Sequence, residues 1–216
     1  MDQGEFILKN LEIDKNKFGR IFSFVDFGNV NYWYAKDRAA FAGKILTDRE
    51  RIAVGIEKLG CFIDLFSEKK FFYYGIDSSN RASIHLQVLA EKRARFKTSS
   101  KFIQNIKHYL TDKQMGELRQ EVLRLLPEDE KGMYLEIQKC NFDVELTIDT
   151  LRLTENFDTC ALFSSDSDFT ALLKYLKLKG KKIILFHSGP TLSLLKSFAD
   201  LKINAQRIRE VIGFVK

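Results

Sequence analysis

Short apolar runs alternate with amphipathic ones along most of the chain. IFSFVDF at 21–27 is compact and aromatic and is followed by the turn-prone GNVN, which predicts a buried strand ending near Asp26. KFFYYGID at 70–77, the run at 160–163 and KKIILF at 181–186 predict further buried strands. FKTSSKFIQNI, from residue 96, carries strand-like residues as well. Helical periodicities lie between these runs. Ile52, Ile56 and Leu59 predict a helix within 48–66, RASIHLQVLAEKRARF one over 81–96, and TLSLLKSFADL one over 191–201. Phe169, Leu172, Leu173 and Leu176 recur at i, i+3, i+4 and i+7, with Gly180 placed to close that helix. DKQMGELRQEVLRLL at 112–126 predicts an amphipathic helix stopped by Pro127, and EDEKG after it reads as a loop. FDVELTIDTLRL at 142–153 suits a strand by alternation and a helix by the spacing of Val144, Ile148 and Leu151.

Strands that are apolar on both faces and interleaved with helices predict an α/β domain, with a mainly parallel central sheet flanked by helices. Ligands of such sheets bind beyond the carboxyl ends of the strands. Asp26 and Asp166 each follow the apolar core of a predicted strand, which assigns both to that rim.

The 216 residues, 45% of them hydrophobic, fit one domain or one domain with an insertion. No run approaches 18 apolar residues and MDQGEFILKN has no apolar segment, so neither a membrane span nor a secretory leader is predicted. Cys61, Cys140 and Cys160 are widely spaced and form no CxxC pair, which predicts a reduced, cytoplasmic protein with buried thiols. The net charge of +6 and pI near 9.1 are compatible with a polyanionic partner. Positive charge gathers in 91–107, where Lys92, Arg93, Arg95, Lys97, Lys101 and Lys107 face a single acid, Glu91. That run is either a solvated face or a phosphate-binding stripe.

Three acidic places remain: Asp26 with Asn29, Asp143 with Asp149, and Asp166 with Asp168. Crowded carboxylates repel one another unless a cation sits among them. Oxygen-only ligands suit Mg²⁺ or Mn²⁺. Plainer roles stand beside this one. Asp166 is placed to cap the following helix, and Asp143 suits the first turn of a helix. The chain has no GxxxxGK[ST], GxGxxG or GxSxG element, and Asp26-Phe27-Gly28 lacks the second acid of an Asp-x-Asp phosphatase.

Three segments resemble the NYN (LabA-like) family, a branch of the PIN-like nucleases. They are VDFGNVN (25–31), KCNFDVELTIDTL (139–151) and LFSSDSDFTALLKYLKLKGKKI (162–183), with SLLKSFADLKI (193–203) similar to the family's C-terminal segment. The resemblance implies a PIN-like three-layer sandwich with an acidic divalent-metal site at the C-terminal edge of the sheet. It also implies metal-dependent cleavage of RNA, with Mg²⁺ or Mn²⁺ as cofactor. Asp26, Asp143 and Asp166 resemble the metal-binding carboxylates, and Asp168 would complete the cluster or orient a water. Asn29, Ser164 and Asp149 would support them, while Asp200 would be a distant member or structural. Asn31, Tyr32 and Lys139, together with Arg93, Arg95, Lys97 and Lys101, would contact single-stranded RNA, with Tyr32 and Trp33 available to stack on bases.

Residues 1–19 are expected as an N-terminal extension to a domain over 20–216, with a helical insertion near 108–138. The implied partner is RNA, with a homodimer compatible. A silent RNA- or protein-binding module and a DNA-directed nuclease are the other readings. Two features depart from the family: Ser165 stands where it usually has Gly, and a positive φ there would cost strain, while the Asn-x-Asn of GNVN is a little unlike the commoner form.

Overall fold

A computed structural model describes residues 2–38, 40–189 and 193–216. The chain divides into two compact units, residues 1–101 with 141–216, and residues 102–140.

The larger unit opens with helices α1 (Gln3–Asn10) and α2 (Lys15–Phe18), then strand β1 (Ile21–Asp26) and the short helix α3 (Phe27–Val30). Strand β2 (Ile52–Val54), helix α4 (Ile56–Asp64), strand β3 (Lys69–Ile76), helix α5 (Arg81–Val88) and strand β4 (Lys97–Phe102) follow. In the smaller unit come β5 (Gln104–Tyr109), α6 (Asp112–Glu117), α7 (Gln120–Leu123), β6 (Glu128–Asp129) and β7 (Gly132–Lys139). The chain then resumes the larger unit with α8 (Asp143–Arg152), β8 (Thr159–Phe163), α9 (Thr170–Leu178), β9 (Lys182–His187), α10 (Ser193–Ser197), β10 (Leu201–Asn204), α11 (Arg209–Ile212) and β11 (Gly213–Val215).

Six strands form the central sheet in the order β10-β9-β8-β1-β3-β4. The ladders β1–β3, β1–β8, β8–β9 and β9–β10 are all parallel, so these strands end at one edge. The expected α/β architecture is present. From β1 the chain crosses to β3 on one side, and from β8 it crosses to β9 on the other. Crossovers that diverge in this way open a crevice at the carboxyl ends of β1 and β8.

Burial on both faces explains the runs of apolar residues. Ile21 and Val25 of β1 join Phe72, Phe163, Ile184 and Phe186 in a core covered by Ile56, Leu59, Phe62 and Ile63 of α4. Phe163 and Phe186, adjacent in register, stack with centroids 4.1 Å apart. Strand alternation turns Phe22, Phe24 and Asp26 to the opposite face. There Phe24 stacks on Phe71 at 5.0 Å, and Tyr73 donates a 3.0 Å hydrogen bond to Asp149 of α8. The same alternation that buries Phe22 and Phe24 therefore delivers Asp26 to the side on which α8 packs.

Several expectations are corrected. Residues 52–54 are not helical: Ile52 and Val54 pair antiparallel with β11, and helix begins only after Gly55. The helix expected over 81–96 ends at Arg93 in a turn of π-helix, after which Arg95 takes φ 56°. The ambiguous 142–153 is helix α8. The helix expected over 191–201 is described only from Ser193 and ends at Ser197 before β10; residues 191 and 192 lie outside the described residues. Gly180 does follow α9 with φ 72°, the left-handed conformation that a helix end favours.

The block at 108–138 mixes two short helices, Asp112–Glu117 and Gln120–Leu123, with strand residues of β5, β6 and β7. Helix 112–126 is interrupted at Leu118 and Arg119, both extended, leaving two short helices. EDEKG is not a loop: Glu128–Asp129 pairs back on Gly132–Met133, and β7 pairs with β5. Alternation accounts for β7, where Met133, Leu135 and Ile137 share a strand face with Ile106. Of the three cysteines only Cys160 is buried, whereas Cys61 is exposed and Cys140 half-buried. No helix among the described residues is long and apolar enough to cross a membrane.

Candidate active site

Asp26 ends β1 and caps α3. Its Oδ1 accepts the backbone N–H of Asn29 at 3.4 Å, and its Oδ2 accepts the hydroxyl of Ser164 at 2.8 Å. Ser164 is fully buried and follows β8, so this bond ties together the ends of two neighbouring strands. The Ser164 hydroxyl also accepts the N–H of Asp166 at 3.1 Å, which sets the turn carrying the next acid.

Asp166 caps a short 3-10 turn, its Oδ1 accepting the N–H of Asp168 at 3.0 Å. Its capping role and its place among the acids are thus compatible, since a carboxylate has lone pairs beyond the one used by the cap. Asp143 opens α8, where a carboxylate is favoured by the positive end of the helix dipole. Asn141 holds it from both directions: its amide donates to Asp143 Oδ2 at 2.6 Å, and its carbonyl oxygen accepts the Asp143 N–H at 2.7 Å.

Asp143, Asp166 and Asp168 each offer a carboxylate oxygen within 4.8 Å of the others. Asp26 stands beside them, close enough to feel the charges of Asp143 and Asp166. Burial, reinforced by those two charges, pushes the Asp26 carboxyl up to about 6, against the lowering effects of Ser164 and Asn29. Burial and the Asp166 and Asp168 charges likewise raise Asp143. The donors are all oxygens, they repel one another, and the most buried of them is reluctant to ionise alone. That set fits a hard divalent cation.

The remaining candidates are dispersed. Asn29 is at the site, its Oδ1 accepting both the indole N–H of Trp33 and the N–H of Ser165, each at 3.0 Å. Trp33 is buried, with its ring stacked over Phe163, so it serves as scaffold and not as an open platform for bases. Tyr32 is 71% exposed and Asn31 is also exposed. Asp149 is held by Tyr73 on the face of the sheet. Lys101 pairs with Glu145 of α8 at 2.8 Å, and Lys97 lies over Phe71. Lys107 pairs with Asp129 inside the smaller unit, which also holds Lys139. Arg93 and Arg95 are exposed. Asp200 precedes β10, accepts Lys177 and the N–H of Ile183, and is a brace at the opposite end of that strand.

Ser165 does not carry the expected strain, since its φ is not positive. Its hydroxyl donates to the carbonyl of Ser188 and accepts the N–H of Ser188, both at 2.9 Å, and so fastens the turn to the end of β9. Sequence reasoning missed Asn141 and Ser188. An Asn two residues before a helical acid is a capping signal that pointed to the first; no local signal pointed to the second.

The NYN domain profile matches residues 20–205. The chain belongs to the NYN domain family. This membership places it with the PIN-like nucleases. The Low amplitude and bright protein LabA of Synechococcus elongatus is 31% identical over 85 residues, 39% of this chain and 46% of that protein. The matched part is therefore less than half of that relative's length. A crystal structure of a protein of unknown function from Vibrio parahaemolyticus superposes with a TM-score of 0.56 at 18% identity, covering 90% of this chain and 96% of that one. That likeness concerns the fold.

Proposed function

We propose that this NYN domain is a divalent-cation-dependent endoribonuclease acting at the C-terminal edge of its sheet. The observation that carries the reading is the convergence of Asp143, Asp166 and Asp168 within 4.8 Å, with Asp26 beside them. A site that merely binds RNA gains nothing from such mutual repulsion, because phosphates repel carboxylates.

Asp143, Asp166 and Asp168 are the residues that would hold the cation, with Asp26 as the fourth carboxylate. A bound Mg²⁺ or Mn²⁺ supplies charge for the scissile phosphate and lowers the pKa of water. The chain supplies orientation. Ser164 and the Asn29 N–H fix both oxygens of Asp26, Asn141 fixes Asp143, and the capping bond to Asp168 fixes Asp166. Asp26, oriented by Ser164 and Asn29 beside the cluster, is placed to accept a proton from water. Family membership and the net charge of +6 support a nucleic-acid substrate. Exposed Arg93, Arg95 and Tyr32 are available to a flexible strand, which favours single-stranded RNA.

The test is cleavage of mixed-sequence RNA and matched DNA with Mn²⁺, Mg²⁺ or EDTA, comparing wild type with Asp26→Asn and Asp166→Asn. RNA cut only with metal, and by neither variant, is the expected result. Cutting in EDTA, or by both variants, overturns the reading, and preferential cutting of DNA replaces its substrate.

A further inference from the structure

A cleft of about 790 Å³ lies beside the acids. Asn29, Tyr32 and Trp33 from the segment after β1 form one side, and Ser165, Asn204 and Gln206 contribute from the ends of β8 and β10. The cleft and the acidic cluster share a wall: Asn29 touches Asp26 through its backbone and Ser165 through its side chain. A group seated in the cleft is therefore next to whatever the carboxylates engage.

The chemistry of the lining differs from that of the cluster. The half-buried ion pair of Arg209 with Asp37, at 2.9 Å, is internally neutralised, and Arg209 also donates to the carbonyl of Ala40. Among the described residues no carboxylate cluster lines the cleft, and the guanidinium that would clamp a phosphate is already committed. What remains for a ligand, apart from the exposed ammonium of Lys36, is neutral and directional. The oxygen of Asn29 is taken by Trp33 and Ser165, which leaves its amide N–H₂ as a donor. Asn204 spends its oxygen on the Gln206 N–H and likewise keeps its amide donors. Gln206, exposed, offers both a donor and an acceptor. Tyr32, 71% exposed, supplies an aromatic face at the margin.

From this juxtaposition we infer that the cleft takes the base and ribose of one unpaired nucleotide flanking the scissile phosphate. The inference rests on the nuclease reading above for the word scissile, and on the cleft alone for the nucleoside. A planar base has polar edges for the three amides and a face for Tyr32, and the volume is within the range of small-molecule sites. A base held in a duplex keeps its edge and both faces occupied, so it cannot enter. Lys36, also on the lining, offers an ammonium to a phosphate of that nucleotide.

Trp33 is the chain's only tryptophan and borders the cleft, so its fluorescence reports occupancy without any cleavage. The experiment titrates a five-nucleotide single-stranded RNA, and the same sequence as duplex, into the full chain in EDTA. Wild type is compared with Tyr32→Ala, Gln206→Ala and Asp168→Asn. Tyr32 and Gln206 are exposed, so their truncation does not threaten the fold.

The expected result is quenching by the single strand and not by the duplex, about tenfold weaker in Tyr32→Ala and in Gln206→Ala. Asp168→Asn should keep it. Placing one abasic nucleotide at successive positions should abolish the quenching at a single position. Quenching that is equal in all variants, or indifferent to abasic position, overturns the inference. So does its complete absence in a wild type that cuts RNA with Mn²⁺. Specific quenching by a wild type that cuts nothing leaves the nucleoside cleft standing and overturns the cleavage reading alone.

Discussion

The Ser164 hydroxyl lies 2.8 Å from a carboxylate oxygen of Asp26 and joins the ends of strands β8 and β1 across 138 residues of sequence. The same hydroxyl accepts the Asp166 N–H, so one buried side chain orients two of the acids. Ser164→Ala leaves Asp26 short of a donor in a buried setting. The expected cost is about 1.5–3 kcal/mol of stability. Because the bond lowers the Asp26 pKa, its loss should also move the acid limb of any pH–rate profile upward. Urea unfolding and the profile together check this; a stability loss with an unmoved profile would make Ser164 scaffold only.

Stability should carry the signature of Asp26. Its carboxyl sits at about 6 in the folded chain against an ordinary 3.8. Between those values the folded chain binds the proton more tightly than the unfolded one. Stability of the metal-free protein should therefore fall as pH rises from about 4 to about 6, by on the order of 2 kcal/mol, and level off above. Asp143, raised in the same direction, adds to the slope. Asp26→Asn should flatten most of it. The stabilisation gained from added Mn²⁺ should grow through the same window, because proton and cation compete. Thermal melts in matched buffers with EDTA or Mn²⁺ measure both effects.

Asp168 and Asp149 should separate cleanly. Asp168→Asn removes one of the three converging carboxylates, so Mn²⁺ should no longer raise the melting temperature and cleavage should be lost. Asp149→Asn weakens a bond to Tyr73 and should cost about 1 kcal/mol while the Mn²⁺ response persists. Equal responses to Mn²⁺ in the two variants would remove Asp168 from the cation site.

Ser165→Gly should destabilise this protein. Ser165 has no positive φ to relieve, and its hydroxyl makes two bonds to the Ser188 backbone. The expected loss is about 1–2 kcal/mol, read from chemical denaturation. A gain in stability would show that the hydroxyl is not the fastening.

The core built on β1, β8 and β9 contains no residue of the smaller unit among the described residues. Replacing residues 104–139 with a flexible Gly/Ser linker should therefore leave a cooperatively folding protein that retains its Mn²⁺-dependent rise in melting temperature. Loss of cooperative unfolding would show that the smaller unit is needed for the larger one to fold.

Much of this protein is legible without coordinates. Runs such as IFSFVD and CALF read as strands because they are short, continuously apolar and bounded by turn-prone residues, as a strand buried on both faces requires. Phe169, Leu172, Leu173 and Leu176 are buried on one helical face as their spacing requires. The rim position of Asp26 and Asp166 follows from parallel strands ending together. Sequence fails where two periods compete or where the partner is remote. Ile52 satisfies a helical count with Ile56 and Leu59, but the strand that claims it lies far along the chain at Gly213–Val215. Leu118 and Val122 look like one helix face until the pairing of β5 with β7 decides the segment around them.

The acids divide along the same line. Their chemical type, their number and their place after strands or at the start of a helix are properties of the chain read locally. Which of them meet is not. The three carboxylates that converge are Asp143, Asp166 and Asp168, while Asp149 is drawn away by Tyr73 and Asp200 braces the opposite end of β10. The buried hydroxyl of Ser164 and the amide-lined cleft beside Asn29 likewise arise only when strand ends distant in sequence are brought side by side. Local spacing sets the direction in which a side chain leaves its own strand or helix. The packing of those elements against one another sets what it meets, and both the candidate cation site and the candidate nucleoside cleft are made of such meetings.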